Sequence, residues 1–359
     1  MRSLSLGLAA ALFSMACQPS TPPAPPTPPP AAKPVVKAVE IDPDRLAAFQ
    51  PLPADAASET NPSTPERVSL GRLLYFETRL SKNQEISCNS CHQLDKFGVD
   101  GKQFSTGHKG QLGGRNSPSV YNAELHFVQF WDGRAADVEA QAKGPVLNPA
   151  EMAMPDAKRV EAVLSSMPEY VAAFKAAFPD DKKPLSFDNA AKAIAAFERK
   201  LVTPARWDKF LAGDKSALSN AEKAGFNTFV ESGCMACHNG ALFGGTTYQK
   251  TGSVIPWPNQ KDQGRFEVTK KDEDKMMFKV PSLRNVVRTS PYFHDGSVVS
   301  LAEATKLMAK HQLGRDLSDA DAKSIATFLD ALTGEAPKEL ITAPELPKST
   351  AKTPKADPT

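Results

Sequence analysis

The chain has 359 residues, of which 41% are hydrophobic and 23% are charged, so it is long enough to bury a sizeable core and to form two domains. The formal net charge is only +2, and no run of basic residues alternates with aromatic residues. This balance argues against nucleic acid as a partner and is typical of a globular protein.

The N-terminal residues have the features of a secretory signal. Arg2 precedes an apolar stretch from Leu6 to Phe13, which is too short to span a membrane. The end of the signal, Ser14-Met15-Ala16-Cys17, resembles a bacterial lipobox. We therefore predict a lipoprotein signal peptide over residues 1–16 and a lipid anchor at Cys17. An ordinary signal peptide, cleaved near Ala16 or later, is the alternative.

Two proline-rich segments flank the predicted folded region, which extends from about Ile41 to Gly334. Between Gln18 and Pro34, more than half of the positions are proline, a composition that favours an extended tether. The segment 336–359 contains five prolines and four lysines and is expected to behave in the same way. The sequence thus predicts a linker over residues 17–40 and a tail over residues 336–359.

Helix signals dominate the folded region. Val160 to Phe174 and Ala190 to Leu201 have helical spacing of apolar residues, and no convincing run of alternating strand residues occurs. N-terminal helix caps are predicted at three places: Thr64 before Pro65, Ser219 with Glu222, and Ser318 with Asp321. The predicted fold class is therefore mainly α.

The four cysteines outside the signal region all occur in two CxxCH motifs, one in each half of the chain. Two thiols at this spacing can add to the vinyl groups of one porphyrin, and the adjacent imidazole then ligates the iron. Zinc would not require the histidine, and an exported dithiol centre would not need two copies. The sequence predicts two covalently bound haem c groups, held by Cys88, Cys91 and His92 and by Cys234, Cys237 and His238.

Each CxxCH motif follows a predicted helix, which indicates two similar domains. We place an N-terminal haem domain at residues 41–205 and a C-terminal haem domain at residues 206–335. Both are expected to be cytochrome c-type domains with long glycine- and proline-rich loops around the haem.

The sixth ligand of each iron decides function, because an open or displaceable position permits ligand chemistry. His108 closely follows His92 in a glycine-rich loop and is the candidate displaceable ligand, although a solvated loop histidine has the same pattern. Met308 follows His238 and precedes the final predicted helix, so it is the candidate second-haem ligand, with Met276 and Met277 as rivals. A methionine that fills a core gap is the alternative.

Five further motifs are spread along the folded region: Leu112–Asn116, Gln129–Ala135, Asn148–Met152, Phe278–Asn285 and Pro291–Gly296. Together with the two CxxCH motifs, they resemble the bacterial dihaem cytochrome c peroxidases of the CCP/MauG superfamily over nearly the whole folded region. The resemblance implies an enzyme that reduces hydrogen peroxide to water. It also implies a periplasmic location and a small cytochrome c or blue copper protein as electron donor.

Site roles follow from the same resemblance. It implies that His92 and His108 ligate the iron of a peroxidatic N-terminal haem, and that His238 and Met308 ligate the iron of an electron-transferring C-terminal haem. Reduction of the second haem, with calcium bound, would then move the His108 loop and open the first iron.

Three catalytic residues and a calcium site are also implied. Trp131 matches a tryptophan between the haems, Glu151 a catalytic carboxylate that moves protons, and Gln141 a polar neighbour of that carboxylate. One calcium ion is expected between the domains, held by the Asn116 side chain and by the backbone carbonyls of two further residues, Thr289 and Pro291.

Two other functions share much of this pattern. MauG-like dihaem enzymes oxidise tryptophan residues of a partner protein, but their second haem has a tyrosine ligand and they lack the displaceable histidine. A dihaem electron carrier would leave the His108 loop and Glu151 unexplained. Homodimerisation is common among relatives. His294 and Arg265 are expected near the second haem, and His126 and His311 are expected to be structural.

Overall fold

The computed structural model describes residues 38–359. The predicted signal peptide, Cys17 and most of the predicted linker therefore lie outside the described residues. The architecture is mainly α-helical, as the sequence predicts, and long loops connect the helices.

The first half of the described region contains seven α-helices, two of which are a single turn long. They are α1 (Pro43–Leu46), α2 (Pro65–Tyr75), α3 (Cys88–Cys91), α4 (Val138–Leu147), α5 (Ala157–Ser165), α6 (Pro168–Ala177) and α7 (Phe187–Glu198). The predicted cap of α2 is confirmed, because the Thr64 side chain accepts a hydrogen bond from the Arg67 N–H.

The second half contains six α-helices and one antiparallel pair of strands. The helices are α8 (Arg206–Leu211), α9 (Asn220–Glu231), α10 (Phe266–Thr269), α11 (Leu301–Leu313), α12 (Asp319–Asp330) and α13 (Lys338–Ile341), and the strands are β1 (Tyr248–Lys250) and β2 (Met277–Lys279). Tyr248 pairs with Lys279 and Lys250 with Met277. The predicted caps at Ser219 and Ser318 are both confirmed.

Short 3-10 helices occupy many of the loops. They are Thr78–Leu80, Leu94–Lys96, His108–Gly110, Ala123–Leu125, Lys215–Ala217, Cys234–Ala236, Asp272–Asp274 and Val286–Arg288.

A proline divides one predicted helix into two. The helical spacing between Val160 and Phe174 predicts a single helix, but α5 ends at Ser165 and α6 begins at Pro168. Proline has no N–H to donate and fixes its own φ, so it favours the first position of a new helix over the interior of a continuing one. The apolar face nevertheless continues, because Val160, Leu164 and Phe174 are all buried in the same core.

The helix that precedes each CxxCH motif crosses a second helix at a glycine. A Cβ atom on Gly71 of α2 would lie 1.9 Å from the carbonyl oxygen of Ala193 in α7, and one on Gly225 of α9 would lie 2.2 Å from that of Ser324 in α12. Only glycine permits this approach of two backbones. The two halves therefore use the same helix crossing, which agrees with the repeat seen in the sequence.

Two large hydrophobic cores surround these crossings. The first includes Leu74 of α2 and Phe197 of α7, and the second includes Phe226 of α9, Phe328 of α12 and Trp207 of α8. Each core also contacts one CxxCH motif, because Cys88 packs against the first core and Cys234 against the second.

The proline-rich tail is not a free tether. It contains α13, and its backbone carbonyls accept hydrogen bonds from the first half: Arg79 donates to Pro347 (2.7 Å) and Gln84 to Pro354 (2.7 Å). The Asp357 N–H donates in turn to the Lys82 carbonyl at 2.9 Å. Ala336 also lies in the first hydrophobic core, and Leu340 and Ile341 pack against it. Proline content carries no information about such contacts with the distant first half of the chain.

None of the helices within residues 38–359 combines the length and the apolar composition that a membrane crossing requires.

Candidate haem sites and peroxide site

The first CxxCH motif forms the short helix α3 and presents its histidine in a defined orientation. The His92 N–H donates to the Cys88 carbonyl at 2.9 Å, and His92 Nδ1 lies 3.0 Å from the Pro118 carbonyl oxygen. The Nδ1 atom therefore carries the proton, and Nε2 is left as the nitrogen that can ligate iron. Burial lowers the pKa of His92, which favours the neutral ligating form.

The second motif repeats this arrangement. The His238 N–H donates to the Cys234 carbonyl at 3.0 Å, and His238 Nδ1 lies 2.9 Å from the carbonyl oxygen of Phe243. Burial lowers the pKa of His238 as well. Both histidines are thus held by a backbone carbonyl with Nε2 available for a metal.

The cysteines have the chemistry that haem attachment needs. All four thiols of the described residues are free of disulfides. Burial raises the pKa of Cys88 to about 12 and that of Cys234 to about 11. Burial thus favours the neutral thiol at both positions. Within residues 38–359, no group of three or more His, Cys, Asp or Glu side chains is arranged to hold a metal ion.

Each motif lines its own large cavity. The first cavity is bordered by Cys88, Cys91 and His92, and also by Gln141 and Glu151. The structure thus brings together the predicted haem attachment and the predicted catalytic carboxylate, although the two are well separated in the chain.

The second cavity is bordered by Cys234, Cys237, His238 and Met308. Met308 lies on α11, whereas the rivals Met276 and Met277 do not border this cavity. Met276 is buried instead in a separate cluster with Trp257 and Phe278. Among the methionines considered, Met308 is the one that shares a cavity with His238.

His108 lies in a loop of which Ser105, Gly107 and Gly113 border the first cavity, whereas His108 itself does not border it. Its side chain is buried, and Nε2 has no hydrogen-bond partner among the described residues. Its backbone N–H donates to the carbonyl of Glu151 at 2.8 Å. A Cβ atom on the preceding Gly107 would lie 2.0 Å from the Ala150 carbonyl oxygen, so glycine is required for this contact. A backbone hydrogen bond therefore joins the loop of His108, the predicted iron ligand, to the loop of Glu151, the predicted proton shuttle.

The carboxyl group of Glu151 is held at the cavity wall. Asn148 Nδ2 donates to its Oε1 at 2.7 Å. Burial raises the pKa of Glu151 above its usual range, and nearby Arg134 and the Asn148 bond oppose that rise. Such a carboxyl group holds a proton at a higher pH than an exposed glutamate, which suits a group that both gives and takes a proton.

A wall shared by the two cavities contains Trp131 and His294. These residues occupy equivalent places in two similar turns, Phe130–Gly133 and Phe293–Gly296. Their backbone carbonyls accept equivalent hydrogen bonds of 2.8 Å, Trp131 from the Lys279 N–H and His294 from the Asn116 N–H. Trp131 Nε1 donates to the Asn116 carbonyl at 2.9 Å. The two halves are thus joined at this wall.

The residues predicted to hold calcium, Asn116, Thr289 and Pro291, all border the second cavity. Asn116 Nδ2 donates to the Lys102 carbonyl at 2.9 Å, so its Oδ1 is directed elsewhere. Arg265 borders neither cavity: it donates to the Tyr248 hydroxyl at 2.5 Å and to the Asp132 carbonyl. Arg265 thus contacts the turn that carries Trp131, and its position relative to the second haem stays a prediction.

Sequence reasoning missed three cavity residues. Lys279 and His126 contact each other in the shared wall, and Glu198 borders the first cavity. Burial raises the pKa of Glu198 to about 8. His311, by contrast, is held by the carbonyls of Ile255 and Pro256, which agrees with its expected structural role.

The fold provides two cavities, each bordered by one CxxCH motif. Residues 65–216 match the family model of di-haem cytochrome c peroxidase. The chain is 43% identical over 333 residues to the cytochrome c551 peroxidase of Pseudomonas aeruginosa, covering 90% of this chain and 94% of that protein. It is also 43% identical to the cytochrome c551 peroxidase of Nitrosomonas europaea, with 87% and 92% covered.

A solved structure gives the same result. A MauG-like protein associated with microbial copper homeostasis has a TM-score of 0.70 and 28% identity, covering 82% of this chain and 95% of that one. The chain belongs to the di-haem cytochrome c peroxidase family. It is a haem-containing oxidoreductase of the peroxidase type.

Proposed function

We propose that the protein reduces hydrogen peroxide to water at the first cavity, with electrons that enter through the second. The observation that carries this assignment is the hydrogen bond between the His108 N–H and the Glu151 carbonyl (2.8 Å) beside a cavity that also contains the first CxxCH motif. One pair of loops then controls both access to the iron and delivery of protons.

The haem in the first cavity, when bound, supplies an iron that binds peroxide and passes electrons to it. The protein supplies the rest. Glu151 would take a proton from one oxygen of hydrogen peroxide and give it to the other, with Gln141 as a polar neighbour. Overall, two electrons and two protons convert one peroxide into two waters. Two haems hold two electrons where one haem holds a single electron.

His92 and His108 are the residues that would hold the first iron, and His108 would be the displaceable one. His238 and Met308 are the proposed ligands of the second. A thioether ligand raises the reduction potential, so the second haem would accept electrons from a donor and store them. Trp131 lies in the wall between the cavities and is the proposed route for electron transfer.

A calcium ion fits the loops that join the two halves. No donor among the described residues bonds to Asn116 Oδ1 or to the carbonyl oxygens of Thr289 and Pro291. Uncharged oxygens and water are ligands that calcium accepts. Bound there, the ion would connect the His108 side of the molecule to the second cavity.

We propose a periplasmic protein with a signal peptide over residues 1–16 and a lipid anchor at Cys17. The donor would be a small cytochrome c or blue copper protein, and homodimerisation stays a prediction. The haem domains at residues 41–205 and 206–335 stay a proposal. Two separate hydrophobic cores support two domains, but Ile41 and Phe49, at the start of the first range, pack in the second core.

An optical and EPR titration of the haem-loaded protein tests the function. The protein is taken from fully oxidised to half-reduced with calcium, and hydrogen peroxide is then added. A high-spin iron at half reduction, followed by rapid peroxide consumption, is the expected result. Two low-spin irons throughout, inert to peroxide, would make the protein an electron carrier. Oxidation of tryptophan in a partner protein, with little peroxide turnover by a cytochrome donor, would indicate a MauG-like enzyme.

Repeating the titration with a calcium chelator tests whether activation of the first iron requires calcium. Loss of the high-spin signal at half reduction is expected, together with recovery when calcium is added back. An identical signal with chelator present would remove calcium from the activation step.

A further inference from the structure

Lys279 is a buried cation at the wall between the two cavities. It is the last residue of β2, and the whole residue is only 5% exposed. Among the lysines and arginines of the described residues, Lys279 is the one that borders both cavities. Its N–H donates to the Trp131 carbonyl at 2.8 Å, which fixes the lysine beside the tryptophan in the same wall.

No carboxylate within residues 38–359 lies within ion-pair distance of Lys279 Nζ, and its polar contact is to Nδ1 of His126. Burial lowers the pKa of Lys279 to about 7. An ammonium group buried without an anion is costly, and buried charges in folded proteins are normally paired. The protein part of the site thus lacks a negative partner.

His126 adds a second unsatisfied donor. An ammonium group only donates, so His126 Nδ1 accepts and the ring proton lies on Nε2. Burial lowers the pKa of His126 well below its usual value, which keeps the ring neutral. Nε2 is buried and has no partner among the described residues. The wall therefore presents one cation and one N–H donor that both need an acceptor.

The His126 position is built into the fold. The next residue, Phe127, donates its N–H to the Gly245 carbonyl at 3.0 Å, and the Gly245 N–H donates to the Val280 carbonyl at 2.8 Å. Val280 directly follows Lys279. The two members of the pair, 153 residues apart in sequence, are therefore joined by backbone hydrogen bonds as well as by their side chains.

We propose that Lys279 and His126 bind a haem propionate at the wall between the two haems. The inference rests on the proposed function in that it requires haem in the cavities. Haem c is attached to cysteine through its vinyl groups, which leaves two propionate carboxylates per haem that need partners when buried. A propionate here would pair with the ammonium of Lys279 and accept the Nε2–H of His126. The pair is a positioning site, which fixes one haem edge next to Trp131.

This site also sets the potential of the haem that it holds. A positive charge beside a haem stabilises the reduced, less positive iron. Removing the charge should therefore lower the midpoint potential of that haem. The propionate can come from the first haem or from the second, and the haem whose potential changes identifies the source.

The test is a spectroelectrochemical titration of both haems in the haem-loaded Lys279→Met protein. One midpoint potential is expected to shift downward, while Lys279→Arg, which retains the cation, stays near the wild-type values. Lys250→Met, at an exposed lysine of β1, is the matched control and should leave both potentials unchanged. Unchanged potentials in a Lys279→Met protein that contains both haems would overturn the proposal. The titration uses no peroxide, so a protein inert to peroxide would refute the peroxidase function and leave this result intact.

His126→Phe provides a second test if Lys279→Met does not mature. Phenylalanine keeps a ring of similar size and removes both nitrogens. The same haem is expected to shift downward by a smaller amount, because the cation remains and one hydrogen bond is lost. Redox difference infrared spectra should also show an altered propionate carboxylate band. Wild-type potentials together with a wild-type carboxylate band would refute the assignment.

Discussion

The two halves of the molecule share a scaffold and differ in what lines their cavities. Each half has a helix crossing at a glycine, Gly71 in one and Gly225 in the other, and a CxxCH histidine held by a backbone carbonyl. The turns that carry Trp131 and His294 are also alike, each closed by a single β-bridge. Similar backbones thus place a CxxCH motif twice in similar surroundings.

The side chains that border the two cavities differ in their chemistry. The first cavity is bordered by groups that bind or move protons and charges, including Glu151, Gln141, Arg134 and Glu198. Apolar side chains dominate around the second CxxCH motif, and Met308 lies among them: Phe229, Leu283, Ile325 and Leu329. Proton-coupled chemistry needs the first kind of lining, and reversible electron storage needs only the second. The two halves therefore share a backbone arrangement and differ in the chemistry that their cavity side chains permit.

The largest expected effect comes from Glu151→Gln, which removes the carboxyl group and keeps its size. Peroxide turnover should fall by about 10²–10⁴-fold, the usual contribution of a general acid–base group, with both haems retained. Steady-state peroxide consumption and haem content give the two readouts.

Glu169→Gln, at an exposed glutamate of α6, is the control and should turn over normally. Full activity in Glu151→Gln would remove this residue from the mechanism. It would also weaken the contrast between the two cavities.

Met308→Leu tests the second cavity alone. The midpoint potential of the second haem should fall, because a thioether ligand that favours the reduced iron is lost. Turnover should slow as a result, while the spectrum of the first haem is unchanged. Met276→Leu, in the neighbouring cluster, is expected to leave the potential unaltered. A change in that control with none in Met308→Leu would reassign the ligand.

His108→Ala tests whether the first cavity is gated. With no displaceable ligand, the first iron should be open to peroxide without prior reduction, and the lag before turnover should disappear. Stopped-flow mixing of fully oxidised protein with peroxide measures the lag. Lys109→Asn changes the same loop at a residue with φ of 58°, which asparagine tolerates, and should keep the lag. A persistent lag in His108→Ala would contradict gating by this residue.

The smallest expected effect concerns the tail. A chain that ends at Thr342 loses the bonds to Arg79, Gln84 and Lys82, and the free energy of unfolding should fall by about 1–2 kcal/mol. Thermal unfolding measures the change, with Lys348→Ala at an exposed tail residue as the control. The Lys82 N–H donates to the carbonyl of Met152 at 2.8 Å, and Met152 borders the first cavity. The loss of stability should therefore be concentrated near that cavity. An unchanged melting temperature would show that these bonds add nothing in water.

Much of this protein is determined by short stretches of sequence. The CxxCH motifs specify attachment because two thiols and an imidazole act within one short motif. The caps at Thr64, Ser219 and Ser318 are also local, since a side chain bonds to a backbone N–H in the next turn. Helical periodicity correctly predicts the mainly α class. Its errors concern where helices end and not their buried faces: a new helix begins at Pro168, and the buried Leu201 lies beyond the end of α7 at Glu198.

Contacts between distant parts of the chain were decided by the tertiary structure. They include the Lys279–His126 pair, the bond between the His108 and Glu151 loops, and the attachment of the tail to Arg79. Neither partner of such a contact carries a local signal, because a lysine or histidine in a loop is ordinarily solvated. Burial and the lack of another partner change the protonation and the binding properties of side chains such as Lys279 and His126. Burial and the lack of another partner arise only when segments that are distant in the sequence pack together.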